Sequence, residues 1–508
     1  MAFAALSACK VGPDFQRPTA SVAPHWIDEP SAPLPQDSAA AAWWTLFKDP
    51  TLDALIAEAY HNNLSLQIAG ARVLEAQAQL KVAIGELFPQ TQALGGQIEK
   101  QHQSRGTLLS QNLDPDLTTR EVGFNLSWEL DFWGKFRRGI EADRAAMMAS
   151  LAAYDSALVS LTAGVANAYL NIRTLQQRIQ YATDNVAAQR DSLRIARAQF
   201  ENGETSELDV QQALTQLSQT EAQIPQLQNA LRANQDSLAV LLGTTPDAID
   251  ARLGSDDSIP MAPAQVATGM PKDLLRRRPD VRQAELSAAA QSAAIGVAKA
   301  NLYPSFSLFG SFGFSNSSLN SSNHGLFTWD NHASSAGAAF VMPILNYGRI
   351  INSVRVQDAV FEQAVLNYQN VVLQAQQEVE DARSGFAAAQ DTLAKLDEAD
   401  KSARRATELA IVRYKEGASD YTTVLTAQQL QLQIEDALAS ARGGVPLALV
   451  GVYRALGGGW QLRSGQDLLP EAKRKEMEAR TYWGGLPESG ASLPAIEDDP
   501  GEADRDHQ

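Results

Sequence analysis

The 508-residue chain has one cysteine, Cys9, and no disulfide can form within it. Its six histidines, His25, His61, His102, His324, His332 and His507, fall mostly in loops or termini and form no metal-ligand spacing. There is no glycine-rich phosphate loop, nucleophile elbow or clustered carboxylate motif, so neither catalysis nor a resident cofactor is expected. Positive charge is in deficit, with a net of −17, which argues against a nucleic-acid partner. No apolar run approaches the roughly 20 residues of a membrane-spanning helix. If the chain meets a membrane, it does so by a lipid anchor or by β-strands. Proline is missing between Gly134 and Phe200, leaving room for a helix roughly 100 Å long at about 1.5 Å per residue.

What is present is a duplication. Asp131-Phe132-Trp133-Gly134 returns as Leu345-Asn346-Tyr347-Gly348, Phe200-Glu201-Asn202-Gly203 as Tyr414-Lys415-Glu416-Gly417, and Leu241-Leu242-Gly243 as Ala455-Leu456-Gly457. The offset is 214 residues each time (417 − 203, 457 − 243). Each copy carries a heptad seam: Ala168, Ile172, Leu175, Ile179, Ala182, Val186, Gln189, Leu193, Ala196 and Phe200 step by four and three, as do their partners from Ala382 to Tyr414. Such seams drive long helices to supercoil. Glycine at Gly203 and Gly417 supplies the left-handed residue that ends a helix, after which helical spacing resumes. Each copy therefore predicts a long antiparallel helical hairpin.

Glu121 to Phe132 alternates without exception. Val122, Phe124, Leu126, Trp128, Leu130 and Phe132 face one way, and polar or small residues face the other, which predicts a strand with one greasy and one wet face. Phe306 to Phe314 repeats the pattern, Ala336 to Ile344 gives a poorer strand and Gln90 to Lys100 a weak one. Four strands cannot close a barrel, and lipid admits no open sheet edge. A membrane location thus demands oligomerisation, and three chains would supply twelve strands and twelve long helices. A four-stranded sheet half-buried in a soluble coiled-coil scaffold is the bland alternative, and it leaves the helix lengths unexplained. A periplasmic adaptor also has a helical hairpin, but one rather than two.

The expected organisation is a residual signal peptide at 1–8, a lipidated proline-rich strap at 9–50, a first repeat at 51–243 opening with a helix from about Thr51 to Leu87, a linker at 244–271, a second repeat at 272–457, and a segment at 458–508 with an acidic tail. Leu6-Ser7-Ala8-Cys9 fits the lipoprotein processing box, with Cys9 as the lipidated residue. Lys10 lacks the aspartate that, by bacterial analogy, would retain a lipoprotein at the inner membrane.

Cys9-Lys10-Val11-Gly12-Pro13-Asp14-Phe15-Gln16-Arg17-Pro18, Trp43-Trp44, Trp128 to Gly134, Arg278-Pro279-Asp280-Val281-Arg282 and Ala455 to Trp460, in that order, resemble the lipoprotein branch of the TolC-like outer-membrane factors, the OprM/NodT type. The resemblance implies an α+β membrane protein, a homotrimer with a transmembrane β-barrel and a long α-helical coiled-coil barrel. It implies an exit duct for small molecules in the outer membrane of a Gram-negative bacterium, docked to a periplasmic adaptor and an inner-membrane efflux transporter. Type I protein secretion is the alternative cargo. The resemblance also places an aperture at the helical tips. The family's aspartates there correspond to Thr423 and Thr426, leaving Asp209, Asp420 and Glu207 as the acidic residues at that level. Asp209, Tyr421 and Arg413 are expected to hold the tip closed, with Gly203 and Gly417 at the adaptor-contact turns. Asp209 and Asp420 read equally well as residues favoured at helix N-termini.

Overall fold

The computed structural model describes residues 10–27, 41–102, 104, 116–254, 258–263, 277–318 and 325–483. Cys9 lies outside them. The helices and strands in order are α1 (Pro50–Asn62), α2 (Leu64–Glu86), β1 (Thr91–His102), β2 (Asp116–Leu130), α3 (Lys135–Glu201), α4 (Glu207–Leu242), α5 (Asp250–Leu253), α6 (Pro279–Ala300), β3 (Ser305–Ser317), β4 (His332–Val341), α7 (Arg349–Lys415), α8 (Tyr421–Ala455) and α9 (Glu471–Arg480). Single 3-10 turns occur at Trp43–Phe47, Pro246–Ala248, Trp329–Asn331 and Trp460–Arg463.

The 214-residue period is structural. α3 and α7 are both 67 residues long, begin at Lys135 and Arg349, and end at Glu201 and Lys415. Glycines in the left-handed region stand at equivalent places: Gly134 and Gly348 before the long helices, Gly203 and Gly417 at the hairpin turns. A residue with a Cβ is strained at such φ values, so glycine fixes where each helix stops.

The chain divides into two compact units. The first comprises residues up to Thr19, Val73–Ser150 and Gln283–Gln369. Its centre is an antiparallel meander in the order β1-β2-β3-β4. Register pairs Phe124 with Phe312, Trp128 with Leu308 and Leu130 with Phe306, so the apolar sides of β2 and β3 share one face. Glu129 pairs with Ser307 and Asn125 with Ser311 on the other face. The weak first strand exists although every residue of β1 is exposed, because its twelve residues all pair with β2. The fourth strand begins four residues earlier than alternation suggested and ends at Val341, where Pro343 removes a donor. The N-terminal strap is pinned in this unit by Arg138. The Arg138 side chain is 1% exposed and donates to the Val11 and Gly12 carbonyls at 3.1 and 3.2 Å and to Asp14 at 2.8 Å.

The second unit comprises Ala20–Arg72, Leu151–Arg282 and Asn370 onward. The single helix expected from Thr51 to Leu87 is two helices. Asn63 takes an extended backbone, its amide closes α1 on Ala59, its side-chain oxygen accepts from the Leu66 amide at 2.8 Å, and its side-chain amide donates to the Leu241 carbonyl at 2.9 Å. Asparagine competes with the helix for its own backbone and caps the next one, a break that apolar periodicity cannot reveal. α3 also contains one stretch apolar enough by composition to cross a bilayer, contrary to the sequence expectation, but most of it is buried within the protein. The core of this unit includes Trp43, fully buried and stacked on Tyr453 at 5.7 Å, and the buried ion pair Arg463–Asp155 at 2.6 Å.

Candidate functional site: the hairpin tips and the sheet

Both hairpins end in the same turn. At the first, Gly203 N–H donates to Phe200 O and Glu204 N–H to Gln199 O; at the second, Gly417 N–H donates to Tyr414 O and Ala418 N–H to Arg413 O. These paired bonds satisfy the last carbonyls of α3 and α7 and reverse the chain within a few residues. Above the turns the heptad seams meet in one cluster: Leu193 and Ala196 of α3, Ala213 and Leu217 of α4, Ala410 and Tyr414 of α7, and Tyr421 and Val424 of α8.

Asp209 and Tyr421 meet here through a residue that sequence reasoning did not single out. The Tyr414 hydroxyl lies 3.4 Å from Asp209, and its ring packs edge-on against Tyr421 at 5.2 Å. Thr205 donates to the same carboxylate, and Gln199 donates to the Tyr414 carbonyl at 3.1 Å. The signal was available in the alignment of the copies: Tyr414 carries a hydroxyl where Phe200 has none. Burial raises the Tyr421 hydroxyl pKa to about 12, with Tyr414 and Asp209 adding to the shift, and burial raises Tyr414 as well. Both phenols therefore stay protonated and can donate at neutral pH.

Arg413 does not join this group. It is exposed, and its only side-chain contact among the described residues is the Ala418 carbonyl of its own turn at 3.5 Å. Asp420 occupies the N-cap position of α8 without a side-chain cap bond, and Asp209 sits in the first turn of α4. Thr423 and Thr426 are exposed, and Thr426 bonds back to the Thr422 carbonyl at 2.8 Å.

Further along the hairpins, polar rungs tie the helices together. Gln428 donates to Ser192 at 2.8 Å, Gln429 to Gln216 at 3.0 Å and Arg178 to Asp436 at 2.7 Å, while Glu435, 2% exposed, takes Arg404 at 2.7 Å and Asn185. Buried polar side chains paired across helices in this way fix the register of the helices.

The sheet carries the other half of the site. Its apolar face is bounded by aromatic groups at both ends. Phe314 packs with Phe327 and Trp329 at one, and Phe132 with Phe306 at the other. An apolar band between two aromatic girdles is how a β-surface meets a bilayer.

The family model described as outer membrane efflux protein matches residues 55–244 and again 270–458, once in each repeat. The chain belongs to the outer membrane efflux protein family. Nodulation protein T of Rhizobium leguminosarum bv. viciae is 31% identical over 86% of this chain and 88% of that one. The pyoverdine export outer membrane protein OpmQ of Pseudomonas aeruginosa is 32% identical over 82% of this chain and 87% of that one. Among solved structures, the outer-membrane channel OprN superposes with a TM-score of 0.81 at 32% identity, covering 89% of this chain and all of that one. This outer membrane efflux protein thus shares the fold of a channel chain, mostly helical with a four-stranded sheet, and works in the outer membrane as an efflux duct. Among the described residues no group of His, Cys, Asp or Glu is placed to hold a metal ion.

Proposed function

We propose that three copies of this chain close into one continuous duct, a twelve-stranded barrel in the outer membrane and a twelve-helix tunnel below it. The observation that carries this is the pair of unpaired sheet edges, β1 and β4, in a sheet built to face lipid. Lipid does not tolerate unpaired backbone groups. The β4 edge is followed by a bare apolar run in which Ile344, Leu345 and Tyr347 are 84%, 81% and 96% exposed. Their counterparts one repeat earlier, Leu130, Asp131 and Trp133, are covered by β3 and Tyr303. A second copy presenting its β1 edge would cover this run and pair β4 at once.

Cargo reaches the duct from a periplasmic adaptor and an inner-membrane transporter, the adaptor seating on the turns at Gly203 and Gly417. Small molecules are the cargo this reading favours over secreted protein, in keeping with the pyoverdine export named for OpmQ. The anchor is a lipid on Cys9, directly ahead of the strap held by Arg138. The aperture is closed by Asp209, Tyr414 and Tyr421, while Asp420, Thr423, Thr426 and Arg413 form its exposed rim.

The test is the oligomeric mass of detergent-extracted protein from fractionated outer membranes, with and without Cys9→Ser. A trimer, and loss of lipid-precursor labelling in the variant, are expected; a monomer would refute closure. For the aperture, single-channel recordings across a salt gradient should respond to Asp209→Asn and Tyr414→Phe. A response confined to Thr423 variants would overturn that assignment.

A further inference from the structure

At the α3 and α7 end of the sheet's polar face, the first unit holds a cavity of about 410 Å³. Its walls include Glu129, Trp133, Lys135, Tyr303, Pro343 and Arg349. Lys135 and Arg349 are equivalent positions, each the first residue of its long helix. Their surroundings differ. In the first repeat the cation is neutralised: Lys135 binds Glu129 at 3.1 Å, and the neighbouring Asp131 binds Arg137 at 2.9 Å. In the second repeat both carboxylates are gone, because the positions of Glu129 and Asp131 are Pro343 and Leu345, while the cation is kept. Among the described residues Arg349 is exposed and has no carboxylate partner. The carboxylates of this cavity are thus matched by Lys135 and Arg137, and one guanidinium is left over in a chain whose net charge is −17.

Beside it, Trp133 and Tyr303 stack at 4.7 Å with 27° between their planes, and the indole N–H is already spent on the Pro304 carbonyl at 2.7 Å. That leaves a flat, apolar aromatic wall next to an unmatched planar cation. We infer that this cavity is a binding site for small aromatic carboxylates, the carboxylate on Arg349 and the ring against the Trp133–Tyr303 wall. A guanidinium binds a carboxylate through two parallel N–H donors, a geometry that lysine lacks. With the duct closed as proposed above, the polar face lines the lumen, so the site occurs three times around the exit path and holds anionic cargo where barrel and tunnel meet. This placement rests on the duct reading; the binding itself does not.

Salicylate titrated calorimetrically into the intact detergent-solubilised protein tests it. Saturable binding is expected, weakened about tenfold or more by Arg349→Gln. Pro343→Glu restores the carboxylate that the first repeat uses and should weaken binding as much; Lys135→Gln unmasks Glu129 and should weaken it too, whereas Lys135→Gln combined with Glu129→Gln removes the matched pair together and should return the affinity to within about twofold of the parent. No saturable binding, binding untouched by both Arg349→Gln and Pro343→Glu, or binding of phosphatidylglycerol headgroup in place of salicylate would overturn the assignment. Block of single-channel current by salicylate separates the two readings. Binding without any conducting pore would refute the duct and leave the site standing, while a conducting pore without binding would refute the site alone.

Discussion

Two adjacent glycines in α8 should respond in opposite directions to the same substitution. Gly443 is buried against α3, and a Cβ built on it falls 1.9 Å from the Thr174 hydroxyl and 2.8 Å from the Thr174 methyl. Thr174 cannot simply swing away, because it is buried and its hydroxyl donates to the Leu170 carbonyl at 2.7 Å. A Cβ on Gly444 meets nothing within 4 Å. Alanine in a helix interior gains about 1 kcal/mol over glycine. At Gly444 that gain stands alone, so Gly444→Ala should raise stability by about 0.5–1 kcal/mol. At Gly443 it is outweighed by an overpacking cost of about 1–3 kcal/mol, or by the parting of α3 from α8. The net should be a loss of up to about 2 kcal/mol. Thermal melting followed by circular dichroism should rank Gly444→Ala above the parent and Gly443→Ala below it. Thr174→Ala combined with Gly443→Ala should recover part of the loss, but not all, since the Thr174 Cβ itself lies 2.9 Å from the new carbon. Equal responses at the two glycines, or purely additive effects of the pair, would refute the close-approach reasoning.

Removing Arg463 strands the fully buried Asp155 carboxylate, so Arg463→Ala should cost about 3–5 kcal/mol in denaturation, with Asp155→Ala in the same chain restoring part of it. Burial pushes the Asp155 carboxyl up to about 6, against the pull of Arg463 and Arg282. A raised folded pKa means the native state binds the proton more tightly than the unfolded chain. The contribution is therefore fully present below about pH 4 and is lost as pH rises through about 6. Melting between pH 4 and 7 should show this slope in the parent and not in Asp155→Asn. Arg138→Ala removes the shared donor of the strap, and trypsin should then cut after Lys10, next to the freed Val11 and Gly12, at least several-fold faster, with the hairpins unaffected.

Much of this molecule is written in its periodicities. The 214-residue repeat, the seam from Ala168 to Phe200 and the alternation from Glu121 to Phe132 located both 67-residue helices and the central strands, because helix and strand impose different spacings on the residues that must be buried. At the hairpin tips the sequence singled out Asp209, Tyr421 and Arg413. The structure brings the first two together through the Tyr414 hydroxyl and ring, which depends on how two hairpins pack, and leaves Arg413 at its own turn beside the Ala418 carbonyl.

The sequence by itself determined the duplication, the helix lengths and the two-faced sheet, since each follows from local chemistry repeated along the chain. Tertiary structure alone decided the break at Asn63, whose side chain caps the start of α2 and donates to a carbonyl 178 residues away. It alone decided the strap's grip on Arg138 and the split fates of Lys135 and Arg349, which share a place in the repeat but not a partner. Side-chain contacts between distant segments depend on the packed geometry of both, and no spacing along one segment encodes them.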